Sequence, residues 1–230
     1  LEARTIIRQL SSQAVTVLEN KEEILPFTHL DKKRFGVISV GKQNAQPFVK
    51  RLQEYAPIEN ISRLNTQSTD KEIKGIVDVI SHSTQTIIAI FSDKKEEIQL
   101  AEKILKKATG KVLVFFTSPY SIPKYEELTA EAEAIIVAYE NNPVMQECAA
   151  EVLFGGTSAD GKLPVSTGKY PQGSGIFIPE CRLGHAFPEE VDMDSRILSR
   201  IDSIVQEGID SMAFPGCQII ITRHKKIIYD

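Results

Sequence analysis

The sequence contains no tryptophan, three methionines and three cysteines. The cysteines, Cys148, Cys181 and Cys217, are odd in number and far apart, which argues against a disulfide framework. No Cys-x-x-Cys pair or mixed Cys/His spacing occurs, so the sequence predicts no metal site. Cysteine usage alone does not decide between an oxidising and a reducing compartment.

Long apolar runs are also missing. No stretch approaches the roughly 18 consecutive apolar residues of a transmembrane helix, so we expect no membrane span. The first residues lack the basic segment and following apolar segment of a secretory signal peptide. The chain instead begins within a helical pattern and ends on a strand pattern. We therefore expect it to be a segment of a longer protein.

The sequence also has no excess of positive charge. The formal net charge is −4 and the sequence pI is about 5.7, whereas a nucleic-acid-binding domain carries a basic face or stripe. The lysine pairs lie beside acidic or apolar neighbours and are typical of solvated faces. With 230 residues, 42% of them hydrophobic, the chain is long enough to bury a core without disulfides or metals.

Short apolar runs alternate with amphipathic patterns along most of the chain. The predicted strands are Ala14–Leu18, Phe35–Val40, Ile58–Leu64, Thr86–Phe91, Val112–Phe116 and Ala134–Ala138. The predicted helices are Glu2–Gln9, Gln46–Tyr55, Lys71–Ile80, Glu96–Lys107, Ile122–Leu128 and Pro143–Phe154. Strands that are apolar throughout are buried on both faces, as in a parallel sheet covered by helices. With right-handed crossovers, the sequence predicts an α/β fold: a three-layer α/β/α sandwich with a mostly parallel, flavodoxin-like sheet.

Glycine and proline crowd the loop Gly155–Gly175, and long ordered loops in compact domains are usually functional or interfacial. A C-terminal piece follows, with a predicted helix Ser195–Asp210 capped by Asp194 and a hairpin of Gln218–Thr222 and Lys226–Tyr229. We place a domain boundary at about 187–192. This divides the chain into residues 1–187 and residues 188–230.

Few residues are candidates for catalysis or for cofactor binding. The turn Val40–Asn44 after the first long strand has one glycine, whereas a phosphate cradle needs several, so no nucleotide cofactor is expected. The Ser-x-x-Lys matches, such as Ser39–Lys42, do not lie on a glycine-flanked elbow. Glu140 and Glu147 flank Pro143 behind a strand end, where an active-site carboxylate can lie. The alternative is that Glu140 is a loop charge and Glu147 belongs to a solvated helix face.

Two motifs carry a family resemblance. Val152–Gly155 (VLFG) and Gly161–Val165 (GKLPV) resemble the C-terminal α/β-sandwich domain of glycoside hydrolase family 3. Ala3–Phe27 is similar to the entry of that domain, and the resemblance covers roughly residues 1–187. We expect Gly155 to end the preceding helix and Gly161, after Asp160, to supply a turn with positive φ.

The resemblance implies that the nucleophilic aspartate lies on a separate N-terminal TIM-like barrel of the same polypeptide, so glycan binds only through the full enzyme. In the glucosidase branch an acid/base glutamate precedes VLFG, and an ungapped count places it at Met145, which cannot transfer a proton. This favours the β-N-acetylhexosaminidase branch, whose barrel supplies its own acid/base. Asp160, Lys162 and His185 are then candidates for the barrel-facing side or the substrate rim. The glucosidase branch, with Glu140 or Glu147 in the role, and a non-enzymatic binding module are the alternatives.

The C-terminal piece resembles the opening of a serine β-lactamase-type hydrolase, on Phe214–Gly216 and Lys226–Asp230. The catalytic Ser-x-x-Lys of such a hydrolase lies further along its chain, so residues 188–230 correspond to a truncated start. A glycosidase joined to such a hydrolase implies bacterial cell-wall or amino-sugar glycan turnover. An extracytoplasmic location is then expected, with a cytoplasmic one as the alternative.

Overall fold

The computed structural model of the protein describes residues 2–58 and 60–230. Its main strands are β1 (Thr16–Asn20), β2 (Phe35–Val40), β3 (Asn60–Leu64), β4 (Gln85–Ile90), β5 (Lys111–Phe115) and β6 (Ala134–Val137). Its main helices are α1 (Glu2–Ala14), α2 (Gln46–Gln53), α3 (Asp70–His82), α4 (Lys95–Leu105), α5 (Glu126–Glu131) and α6 (Pro143–Phe154). The predicted strand Ile58–Leu64 includes position 59, which lies outside the described residues.

The six strands form one sheet in the order β1-β6-β5-β4-β2-β3. Strands β2 to β6 are mutually parallel, and β1 pairs antiparallel with β6 at the edge. Without β1, the order is that of a flavodoxin-like sheet, whose strand order reverses between its first and third strands. The predicted fold class is therefore confirmed.

Successive residues of the central strands point to opposite faces of the sheet. Ile87 and Ala89 of β4 belong to the core under α2 and α6, whereas Ile88 and Ile90 belong to the core under α3, α4 and α5. Helix α1 packs on α6 from outside. Because both faces are covered, the strands are apolar throughout, as the sequence indicates.

A smaller unit follows the long loop. Strands β7 (Gly184–His185), β8 (Ile221–Arg223) and β9 (Lys226–Tyr229) form a second sheet. Helices α7 (Ser195–Leu198) and α8 (Arg200–Asp210) replace the single predicted helix, which is interrupted at Ser199. A small core of Val191, Leu198 and Ile228 joins these pieces. The domain boundary stays a prediction, and β7, which precedes it, pairs with β9.

Two other predicted elements were placed wrongly. The predicted helix Ile122–Leu128 is a 3₁₀ turn, Pro119–Lys124, followed by α5, because Pro123 has no N–H to donate within an α-helix. The predicted strand Gln218–Thr222 is observed only from Ile221 onward. In the described part of the chain, every helix is too short or too polar to cross a membrane.

The two motif glycines serve different purposes. Gly155 has φ +73° and caps α6 in the left-handed conformation, as expected. The prediction for Gly161 was wrong, because its φ lies outside the left-handed region. A Cβ there would lie 2.5 Å from the carbonyl oxygens of both Ala14 and Val15. Gly161 is therefore required by close backbone approach between the loop and the end of α1.

We predict that Gly161→Ala lowers the free energy of unfolding by about 2 kcal/mol or more, since two backbone oxygens must move. The control is Gly75→Ala at an exposed position of α3, where a Cβ meets open space; it should stabilise by about 0.5–1 kcal/mol through helix propensity. Urea denaturation of both variants measures the difference. A Gly161→Ala midpoint equal to that of the unaltered chain would contradict the steric argument.

Candidate functional site

The loops after the parallel strands meet at the carboxyl edge of the sheet, where α/β sheets bind ligands. Glu140 lies in the loop between β6 and α6 and is exposed. The Asn142 amide donates to Glu140 Oε2 at 3.2 Å, and Asn142 Oδ1 accepts the backbone N–H of Met145 at 2.8 Å. Asn142 therefore caps α6 and also orients the only charged side chain of this loop.

Tyr139 ties this loop to the start of β1. Its φ is +60°, and its hydroxyl lies 2.7 Å from Thr16 Oγ1. Burial raises the pKa of the Tyr139 hydroxyl, which stays protonated at neutral pH. Thr16 pairs with Val137 at the carboxyl end of β6. The hydrogen bond between Tyr139 and Thr16 therefore helps to hold β1 against β6.

Asp160 and Lys162 lie at the same edge, because Gly161 packs against Ala14 and Val15 just before β1. Asp160 is exposed, and the Lys162 ammonium donates to the carbonyl of Gly175 at 2.7 Å. The structure therefore brings Asp160 and Lys162 to the edge that also carries Glu140.

Gln146 is a residue of this edge that sequence reasoning missed. Its side chain is buried; Nε2 donates to the carbonyl of Asn44 at 2.9 Å and to Asn141 Oδ1 at 2.7 Å. Its Oε1 accepts the backbone N–H of Phe48 at 3.1 Å. Gln146 thus joins the loop after β2 to the loop after β6. One amide on an otherwise apolar helix face was the signal that could have identified it.

Met145, at the position where the resemblance places an acid/base glutamate, is buried in the core beside α2. Its side chain is only 5% exposed. A thioether in a packed core neither donates a proton nor contacts a ligand at the surface. The first turn of α6 therefore carries a packing residue at this position.

Glu147 and His185 belong to a different group of side chains, the buried charge cluster. It contains two arginines, four glutamates and one histidine: Arg8, Arg51, Glu54, Glu147, Glu151, His185 and Glu190. Glu147 Oε2 lies 3.3 Å from Arg51 and 3.7 Å from Arg8. The Glu147 side chain is 30% exposed, so it lies at the rim of this cluster, partly open to solvent and partly against the two arginines.

Arg8 and Glu151 form the centre of the cluster. The Glu151 side chain has no exposed surface, and its Oε1 lies 2.7 Å from Arg8 Nη2. The same nitrogen donates to the backbone carbonyl of His185 at 2.5 Å. Burial by itself lowers the pKa of Arg8, but the adjacent Glu151 carboxylate outweighs it, so the pKa is raised. Arg8 thereby connects α1, α6 and β7.

The imidazole of His185 is held within the same cluster. Its Nε2 lies 3.3 Å from Glu54 Oε2, and the ring packs edge-on against Tyr55. Burial, and then the guanidiniums of Arg51 and Arg8, lower its pKa to about 3, so it is neutral at pH 7. His185 lies beside the C-terminal halves of α2 and α6, and the structure does not bring it together with Asp160 and Lys162.

Across residues 2–58 and 60–230, no three histidine, cysteine or acidic side chains converge in a way that could hold a metal ion.

Comparison with known proteins identifies structures that share the fold of this chain. No family model matches the sequence, and no curated protein matches it. A fungal multi-domain GH3 β-N-acetylglucosaminidase structure superposes with a TM-score of 0.60 and 18% identity over 74% of this chain and 20% of that one. A family 3 β-N-acetylglucosaminidase from Paenibacillus sp. str. FPU-7 gives 0.57 and 18% over 72% and 32% of the two chains.

A β-glucosidase from Listeria innocua gives a TM-score of 0.58 and 15% identity over 75% of this chain and 28% of that chain. The chain shares its fold with parts of family 3 glycosidases. The match spans between about a fifth and a third of those three structures. At this level of identity the likeness establishes the architecture, and both branches of the family are represented.

We predict that Arg8→Met lowers the free energy of unfolding by about 3–5 kcal/mol, because it leaves the buried Glu151 carboxylate without its closest partner. The control Arg4→Met, one turn earlier on α1, removes an exposed guanidinium that lies over the Phe187 ring, and should cost less than about 1 kcal/mol. Guanidinium denaturation measures both. Equal costs for the two variants would show that Arg8 contributes no more than a surface charge.

We also predict that His185 makes the protein less stable as pH falls. Its pKa is about 3 when folded and near 6.5 when unfolded, so protons bind the unfolded chain more readily between these values. The free energy of unfolding therefore decreases as pH falls below about 6.5. His185→Gln should remove about 1 kcal/mol of the decrease between pH 7 and pH 5.

The free energy of unfolding of His185→Gln at the two pH values measures how much His185 contributes to the pH dependence of stability. The variant His82→Gln, at an exposed histidine, is the control. A pH dependence unchanged by His185→Gln would show that the imidazole protonates freely in the folded protein.

Proposed function

We propose that residues 1–187 are the sandwich domain of a family 3 glycoside hydrolase that removes terminal β-N-acetylglucosamine, and that this domain supplies no catalytic carboxylate. The observation that carries the proposal is the buried Met145 at the position of the acid/base glutamate. The shared fold and the VLFG and GKLPV motifs support the assignment to the family.

A retaining glycosidase needs two carboxyl groups, or an equivalent pair, on either side of the scissile bond. In this chain Glu147 is held by Arg8 and Arg51, and Glu140 is an exposed charge with one amide partner. Neither residue has the enclosed setting that tunes a general acid. The nucleophile and the acid/base are therefore assigned to the barrel domain, and this domain's residues position that barrel.

The surface around α1 supports docking of a second domain. Ile6 and Leu10, one helical turn apart, are 54% and 61% exposed, and Ile176 and Phe177 are 39% and 58% exposed. Exposed large apolar side chains that lie together mark interaction sites. The loop Gly155–Gly175 contacts the end of α1 through Gly161 and leads directly into Ile176 and Phe177, and we assign it to the barrel contact, with Asp160 and Lys162 on its polar rim.

We further propose that residues 188–230 are the start of a second, serine hydrolase-like domain. Ile204 and Ile220 are 66% and 56% exposed, and α8 contains no buried residue. A larger domain would bury these side chains. Such a pairing is suited to cell-wall or amino-sugar glycans, with an extracytoplasmic location.

The alternative is the glucosidase branch, with Glu140 as acid/base. It is favoured by one observation: Glu140 is exposed at the carboxyl edge, beside the N-terminus of α6. In that case Glu140 would reach the substrate once the barrel is present.

The decisive test joins this chain to a family 3 barrel and measures hydrolysis of a chromogenic β-N-acetylglucosaminide. We expect the chain alone to show no turnover, and the fusion to be active. Glu140→Gln should leave kcat/KM within about twofold, as should Glu126→Gln on exposed α5. A fall of about 100-fold or more for Glu140→Gln alone would establish the alternative, and turnover by the chain alone would overturn the proposal.

A further inference from the structure

A groove lies between the first turns of α2 and the edge strand β3, and we call it the β3 groove. Leu64 of β3 belongs to the core under α3, so the alternate residues Ile61 and Arg63 face the other side of the sheet. Ile61 is 43% exposed, and Arg63 is exposed as well. The groove has a volume of about 480 Å³, which is within the range of small-ligand pockets.

One part of the β3 groove is apolar. Its lining includes Val37, Ala45, Val49 and Ile61. Val37 and Ala45 are buried in the protein core, whereas Val49 is only half-buried and Ile61 is exposed. A ligand with an apolar body would remove these last two side chains from water, which is favourable.

The positive charge of the β3 groove is not used by the protein itself. Arg63 is the only cationic residue of the lining, and its guanidinium forms no hydrogen bond or ion pair within residues 2–58 and 60–230. Glu72 is the acidic residue of the lining, and its Oε2 accepts the backbone N–H and the hydroxyl of Thr69 at 2.7 and 2.9 Å. The guanidinium is therefore available to an anion, and its planar fork matches a carboxylate.

Two neutral side chains of the lining can also bond a ligand. Ser39 is 6% exposed, and its hydroxyl donates to the carbonyl of Ser62 at 3.4 Å, which is longer than an ordinary O–H···O bond. The Gln46 side chain has no hydrogen-bond partner among the described residues. A hydroxyl and an amide thus offer donors and acceptors beside the apolar lining.

We propose that the β3 groove binds a small monocarboxylate with an apolar body, with the carboxylate on Arg63 and the body against the apolar lining. A phosphate dianion is disfavoured, because the Glu72 carboxylate lines the same groove and repels a second negative charge. The start of α2 offers little to a phosphate, since the N–H groups of Gln46 and Phe48 are already bonded within the fold.

The β3 groove is remote from the edge that carries Glu140 and Asp160. Strands β4 and β5 separate β2 from β6, which amounts to about 14 Å at the usual strand spacing of about 4.8 Å. None of the residues that line the groove is assigned to the barrel contact. The carboxylate site therefore does not depend on the proposed function, and either proposal can fail alone.

The test is an amide NMR titration of the full 230-residue chain with phenylacetate and with phenylacetamide, its neutral counterpart of the same shape. We expect phenylacetate to shift amides within residues 44–49 and 61–63 saturably, with a Kd on the order of 1 mM for a ligand of about ten non-hydrogen atoms. Phenylacetamide should bind about tenfold more weakly, because it lacks the charge that Arg63 recognises. Acetate and inorganic phosphate, which lack the apolar body, should also bind about tenfold more weakly or less.

The variant Arg63→Gln should weaken phenylacetate binding to the level of phenylacetamide and leave phenylacetamide binding unchanged. Arg200→Gln, which removes another exposed guanidinium, should change neither. Absence of saturable shifts, equal binding of phenylacetate and phenylacetamide, or an equal loss with Arg200→Gln would overturn the carboxylate site. Phosphate binding as tight as that of phenylacetate would show a site for anions alone and would also overturn the proposal.

Discussion

The ion pair between Arg8 and Glu151 sets the geometry of one side of the molecule. Glu151 is fully buried, so α1 must dock on α6 at the one position where Arg8 reaches it. That docking fixes where α1 ends, where β1 begins and where Gly161 meets the carbonyls of Ala14 and Val15. The same guanidinium holds the His185 carbonyl and thereby anchors the C-terminal unit.

A buried ion pair of this kind contributes more to geometry than to net stability, because desolvation offsets much of the Coulomb attraction. The rest of the buried charge cluster has the same character. Four glutamates surround two arginines, and the imidazole among them is kept neutral by burial and by the guanidiniums. Glu147 and His185, two of the candidate site residues in the sequence, therefore help to join elements of the fold.

The fold could be predicted because its strands are buried on both faces, and Phe35–Val40 or Lys111–Phe115 show this directly in the sequence. The position of β1 at an antiparallel edge and the break at Ser199 depend on contacts between distant parts of the chain. The same is true of the buried charge cluster, since Arg8 and His185 are 177 residues apart. The family motifs located Gly161 correctly but gave the wrong reason for it, because a motif does not show which backbone lies opposite.

The antiparallel strand β1 also affects how the sheet can associate. Its outer edge is partly covered by the bridge between Val17 and Ile176, so one side of the six-stranded sheet is closed to further strands. At the other side β3 is short and carries Asn60, Ser62 and Arg63 among its five residues. Short, polar edge strands discourage edge-to-edge aggregation, and this sheet is therefore protected against growth into larger β assemblies by a different means at each side.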